Sequence, residues 1–206
     1  MLHRCNRSTL LLLCLIWGLG GCASNIPRAK SIEVTLPAPE LGALEVDPDD
    51  RARYEEAVKL LEGGELADAR SALERLERDA AYIPGVHLNL ALIHYRTEDY
   101  DEARRKLDEA LELSPRNAIA HNLNGTLLRK EGRFEDAEIA YTKALKIAPD
   151  YAAAHFNLAV LFDIYLQYWI DAKDHYRRYL KLTGSSDKRV ESWIEDLEVR
   201  IQRAGG

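Results

Sequence analysis

From about residue 50 onward, apolar residues recur at three- and four-residue intervals between charged ones, which predicts amphipathic helices in succession. The helices themselves repeat. Ala69, Ala103 and Ala137 stand 34 residues apart, and so do Leu66, Tyr100 and Phe134, and Leu73, Leu107 and Tyr141. Ala57, Ala91, Gly125 and Ala159 form another column at the same period, and His87, His121 and His155 a further one. Several independent columns at one period predict an array of like units. Small residues let the two helices of a unit approach at their crossing. The Leu66/Tyr100/Phe134 column fills the gap beside the turn, and Pro115 and Pro149 close one unit and open the next. No unit buries its apolar face alone, so neighbours must stack into a solenoid.

The columns resemble the tetratricopeptide-repeat (TPR) pattern. The third unit carries it most fully, with His121, Asn124-Gly125, Leu128, Ala137, Tyr141, Ala144 and Pro149. The second has His87, Leu90-Ala91, His94, Ala103, Leu107, Ala110 and Pro115. The fourth has His155, Leu158-Ala159, Phe162, Ala172 and Tyr176, with one extra residue expected in the turn around Tyr165–Asp171. The first is divergent: Ala57, Leu60, Ala69 and Leu73 are present, but Ala81 stands where Pro would. The resemblance implies an all-α helix-turn-helix solenoid of about four repeats, over 50–83, 84–117, 118–151 and 152–184.

Beyond Gly184, a helix C-cap, Val190, Trp193, Ile194, Leu197 and Ile201 make one apolar stripe with Ser185 or Ser186 as N-cap. Residues 185–206 therefore read as a capping helix over the open end of the stack. An amphipathic membrane helix is the rival reading, and its acid-rich polar face suits it badly.

The N-terminus has a different pattern. Arg4 and Arg7 precede an apolar run, Leu10–Leu19, about half the length needed to cross a bilayer. It ends in Gly20-Gly21-Cys22, and such a run reads as a cleavable signal. Leu19-Gly20-Gly21-Cys22 resembles the lipobox of bacterial lipoprotein signals. That resemblance implies that 1–21 is removed and that Cys22 carries covalent lipid, diacylglycerol and a further acyl chain such as palmitate. Two or three chains anchor stably where one does not. By the same resemblance, Ala23 after the cysteine, rather than Asp, implies the outer membrane, with the body facing the periplasm. Residues 22–49, with Pro27, Pro37, Pro39 and Pro48, read as a tether; Ser31–Leu36 alternates enough to lie instead as a strip on the repeats.

Composition narrows the function. The chain carries −6, and its first 21 residues hold two Arg and no acid, so the remainder is more acidic still. Nucleic acid and anionic lipid both need a basic face, so neither is an expected partner. The three cysteines all lie in the first 22 residues, which leaves the body without a thiol for catalysis or metal. No G-x-S-x-G is present, and Glu98-Asp99 and Glu135-Asp136 fall at turns and first turns, where the helix dipole accounts for them. The histidine column suggests a metal, but stacked helices sit 8–10 Å apart, too far for three layers to share an ion with bonds of ~2 Å. Each imidazole is expected to bond locally. Asn89 and Asn157 read either as interhelical hydrogen-bonders or as groove residues. No enzyme, no metal and no cofactor beyond the lipid is expected.

What remains is a surface for partners. The TPR resemblance implies a groove lined by the first helix of each unit: Tyr54 and Val58; Leu88, Leu92, Tyr95 and Arg96; Asn122, Thr126, Arg129 and Lys130; Phe156, Val160 and Asp163. Such a groove would take a protein or peptide, as an envelope adaptor in a pilus, secretion or cell-wall assembly. The alternative is a glycan- or peptidoglycan-associated lipoprotein that uses Tyr54, Tyr95 and Tyr165 as stacking platforms.

Overall fold

The computed structural model describes residues 45–205. The signal segment, Cys22, the Ser31–Leu36 strip and the tether as far as residue 44 lie outside them.

Among the described residues there are nine α-helices: α1 (Pro48–Glu62), α2 (Leu66–Ala80), α3 (Pro84–Arg96), α4 (Tyr100–Leu113), α5 (Ala118–Lys130), α6 (Phe134–Ile147), α7 (Ala152–Val160), α8 (Trp169–Thr183) and α9 (Lys188–Ala204). Consecutive helices pair as α1/α2, α3/α4, α5/α6 and α7/α8, each pair stacks on the next, and α9 packs on α8. The expected TPR solenoid with a C-terminal cap is therefore the observed fold. Helix α1 starts at Pro48, inside the stretch expected to be tether, because Asp47 accepts a hydrogen bond from the Asp49 amide and Pro48 occupies the first turn, where it loses no bond.

The columns do what their sizes suggest. Ala57, Ala91 and Ala159 in the first helices, and Ala69, Ala103, Ala137 and Ala172 in the second, have no exposed surface. The large side chains Leu73, Leu107, Tyr141 and Tyr176 fill the core between them. Each pair also turns through one residue at positive φ: Gly64, Glu98 and Gly132, spaced by the repeat, and Gln167 in the fourth. Glycine adopts that conformation freely, whereas Glu98 and Gln167 hold it against their own Cβ.

The extra residue of the fourth repeat is not in the turn where it was expected. It is absorbed at the end of the first helix, where α7 passes into a π-helical turn, Leu161–Leu166, before Gln167 reverses the chain. Widening one turn in this way lets Ala172 and Tyr176 resume their columns. At the C-terminus, Gly184 takes the left-handed conformation expected of it, and Asp187, not Ser185 or Ser186, caps α9 by accepting from the Arg189 amide. Val190, Ile194 and Leu197 are buried, and Trp193 packs 5.6 Å from the ring of Tyr176. The stripe thus covers the last repeat.

Candidate protein-binding surface

The residues expected to line the groove fall into two sets. Tyr54, Leu88, Asn122 and Phe156 occupy one repeat position, and only 2%, 2%, 1% and 6% of each is exposed. They lie in the seam between repeats. The Asn89 amide donates to the Tyr54 hydroxyl (2.8 Å), and the Asn157 amide donates to the Asn122 side-chain carbonyl (3.0 Å). The equivalent positions between these polar pairs are Leu88 and Leu123, both buried. Phe156 has no fifth repeat to meet and packs instead on Tyr179, Tyr176 and Trp193, at 5.2, 5.9 and 6.3 Å between ring centres. One turn further along, Leu92, Thr126 and Val160 are buried as well. The Thr126 hydroxyl donates to the Asn122 backbone carbonyl and accepts from the Tyr141 phenol. These seven residues are taken up inside the stack, and Asn89 and Asn157 are interhelical hydrogen-bonders. Tyr54 cannot act as a stacking platform, since its ring is buried and its hydroxyl is engaged. That burial pushes its phenol well above the ordinary range.

The second set stays at least partly exposed. Val58, Tyr95, Arg96, Arg129, Lys130 and Asp163 stand at the C-terminal ends of the first helices, beside the turns. There they meet a column first read as gap-filling. Tyr95 packs 5.8 Å from Tyr100, and the Lys130 ammonium lies over the Tyr100 ring at 5.4 Å, a cation–π contact. One repeat on, Phe134 packs 4.6 Å from Tyr165, which with Ile164, Tyr168 and Ile170 makes an exposed apolar margin. Burial raises the Tyr95 phenol, and the Arg129 and Lys130 charges draw it back. Among the described residues, no carboxylate lies within ion-pair distance of Arg96, Arg129 or Lys130. Asp163 differs: burial raises its carboxyl, and Arg200 of the cap, 3.6 Å away, opposes the rise. The accessible surface is thus a strip of rings and unpaired cations. Tyr100 and Phe134, which the sequence reading passed over, belong to it; the signal was aromatic residues in that column where the first repeat has Leu66.

The histidine column shares one local bond. Nε2 of His87, His121 and His155 lies 2.7, 2.9 and 3.0 Å from the backbone carbonyl six residues earlier, Ala81, Pro115 and Pro149. A carbonyl only accepts, so each Nε2 carries the proton and each Nδ1 is turned toward the second helices. What meets Nδ1 differs by repeat. His155 Nδ1 lies 2.8 Å from His175 Nδ1. His87 Nδ1 lies 3.0 Å from Glu109 and 3.2 Å from Glu77, three potential metal ligands drawn from α4, α3 and α2. The two carboxylates stand on different helices, α2 and α4, so no spacing in the sequence joins them. The buried Lys106 ammonium touches both of them. Burial would raise Glu109, but its bond to Lys106 and the charges of Lys106, Arg105 and His87 hold it below the carboxylate range. A cation of the protein's own already balances the cluster.

Comparison with known proteins bears on this architecture. The family model described as "Tetratricopeptide repeat" matches residues 88–152 and 122–163. A Sinorhizobium fredii protein, y4yS, is 31% identical over 141 residues, 68% of this chain and 74% of the relative. The peroxisomal targeting signal receptor of Saccharomyces cerevisiae is 34% identical over 77 residues, which is 37% of this chain and only 13% of the receptor. Among solved structures, that of Pseudomonas aeruginosa pilF superposes with a TM-score of 0.65 at 20% identity, covering 75% of this chain and 69% of the other.

Proposed function

The chain belongs to the tetratricopeptide-repeat family, and from that premise we propose that it is a lipid-anchored adaptor of the bacterial cell envelope. In this reading Cys22 carries the acyl chains, residues beyond it act as the tether, and the repeats hold a protein partner at the periplasmic side of the outer membrane. The partner is a component of a pilus, secretion or cell-wall assembly, and the chain acts by holding it, without catalysis. One observation carries the reading of the surface: Arg96, Arg129 and Lys130 lie without a carboxylate partner among the described residues, beside the rings of Tyr95 and Tyr100, on a chain of net charge −6. Locally unpaired cations next to half-buried rings suit a segment that brings carboxylates together with apolar or aromatic side chains.

The experiment joins the two halves. Cells expressing the chain with a photoreactive residue at Arg96 are labelled with a palmitate analogue and irradiated. A labelled chain crosslinked to one partner is the expected product. Cys22→Ala should lose the label. Arg129→Glu with Lys130→Glu should lower capture by roughly tenfold or more, since two charge-assisted contacts become repulsive. Unchanged capture would remove the strip from the interface, and an unlabelled wild-type chain would remove the anchor.

A further inference from the structure

The niche that each column histidine faces is filled differently in successive repeats. Lys106, Ala140 and His175 occupy equivalent positions on α4, α6 and α8. In the second repeat the Lys106 side chain fills the niche and meets the carboxylates beside His87. In the fourth, the His175 ring fills it, with ring centres 5.0 Å from His155 and 5.8 Å from Phe162. His155 donates through Nε2, so its Nδ1 is bare and accepts from the His175 Nδ1–H. In the third repeat the position is Ala140, and the niche is left open as a cleft of about 480 Å³ between α4 and α6. His121, Leu128, Ala140, Leu111 and Lys143 line it. His121 is only 5% exposed, and no described residue bonds its Nδ1. Leu128 stands where Phe162 stands one repeat later, so both walls that sandwich the His175 ring have counterparts here.

We infer that this cleft is a second docking site, separate from the strip, that takes a tyrosine side chain of a partner protein, the phenol donating to His121 Nδ1 and the ring lying between His121 and Leu128 over Ala140. The chain itself shows what fits, because the same niche in the fourth repeat holds a planar ring that donates one hydrogen bond to the same imidazole atom. Charge bears on the choice of donor. Lys143 stands at the position where Glu109 meets His87 in the second repeat, so a cation and not a carboxylate occupies that place, and a neutral phenol suits it better than an ammonium; Asp108 and Asp136 of the lining are offset by Arg104 and Arg133. The rim suits a protein segment: Ile139, 66% exposed, offers apolar contact, and charges of both signs, Asp108 and Asp136 with Arg104, Arg133 and Lys143, surround it. A buried aromatic anchor within such a rim is how a short segment gains affinity.

The test uses N-acetyl-tyrosinamide and N-acetyl-phenylalaninamide, which differ by one hydroxyl, titrated into the isotope-labelled chain and followed by NMR. The tyrosine compound should shift the His121 imidazole nitrogens and the Ala140 and Leu128 amides, and bind about fivefold more tightly than the phenylalanine compound, the worth of one hydrogen bond. Ala140→His, which copies the fourth repeat and supplies an internal donor, should keep the helical spectrum and lose those shifts. Equal binding of the two compounds would overturn the tyrosine assignment. Shifts confined to other residues, or tyrosinamide binding that survives in a folded Ala140→His chain, would overturn the site.

Discussion

Gly125 lies so close beneath the Tyr141 ring that a Cβ built on it would sit 2.7 Å from Cδ1 and Cε1. Other repeats carry Ala at this column: the second pairs Ala91 with Leu107, and the fourth pairs Ala159 with Tyr176 just before its first helix widens into the π-helical turn. Gly125→Ala would gain about 1 kcal/mol of helix propensity. Against that, overpacking costs ~1–3 kcal/mol, and the Tyr141 ring has nowhere to withdraw, being fully buried with its hydroxyl bonded to Thr126. The variant should be about 1 kcal/mol less stable in urea unfolding. In a Tyr141→Leu background the same substitution should turn stabilising. An effect of equal sign in both backgrounds would show that the ring does not set the choice of glycine.

That pair also marks what the sequence discloses. Column periodicity sets the helices, their pairing and the cap, because small and large residues at fixed spacing leave little freedom in how two helices cross. The binding strip was only half legible. Tyr54, Leu88 and Asn122 sit at positions that a single repeat, taken alone, would expose, and they are buried only because the next repeat brings Asn89, Leu123 and Asn157 against them. Contacts of that kind span 35 residues and depend on the exact lateral stagger of the stack. The Glu77–His87–Glu109–Lys106 cluster is hidden for the same reason: it draws on three helices, and each of its members looks like an ordinary helix-face residue in the sequence. The π-helical turn was legible as an insertion but not as to place, since either the turn or the helix end could have taken up one residue.

Acid should loosen the stack before the carboxylates titrate. Burial, first among the causes, lowers the pKa of His121, His155 and His175, and the neighbouring charges of Lys143, Arg178 and His155 respectively add to it. An imidazole depressed in the folded state binds fewer protons than in the unfolded chain. Its contribution is therefore complete above about pH 6.5 and is lost as pH falls below that value. Asp163 runs the other way, because its raised carboxyl gains a proton, and stability, earlier than the unfolded side chain does. Three depressed groups outweigh one raised one. The urea midpoint should decline steadily from pH 7 to pH 5, and His155→Phe with His175→Leu should flatten that decline. A midpoint that is level across the window, or a slope the double variant leaves untouched, would count against the assignment.

Lys106 is the buried cation of the Glu77–His87–Glu109 cluster. Its side chain is 8% exposed and its ammonium touches Glu77 and Glu109, whose side chains are 22% and 33% exposed. Removing one partner from a buried ion pair costs ~3–5 kcal/mol, less where the orphaned charges reach water, so Lys106→Met should lose about 2 kcal/mol. The loss should be recoverable in an informative way. With the ammonium gone, two carboxylate oxygens face His87 Nδ1 at 3.0 and 3.2 Å, and the imidazole is held in place by its Nε2 bond to the Ala81 carbonyl. That is an acidic ligand set with an oriented histidine, of the kind zinc binds. Zinc should then raise the melting temperature of Lys106→Met while leaving wild type unmoved, and His87→Gln added to the variant should abolish the rise. Thermal melts with zinc and with chelator read this directly. An equal response of wild type and variant would mean that the ammonium does not occupy the cation's place and that the cluster is held by something else.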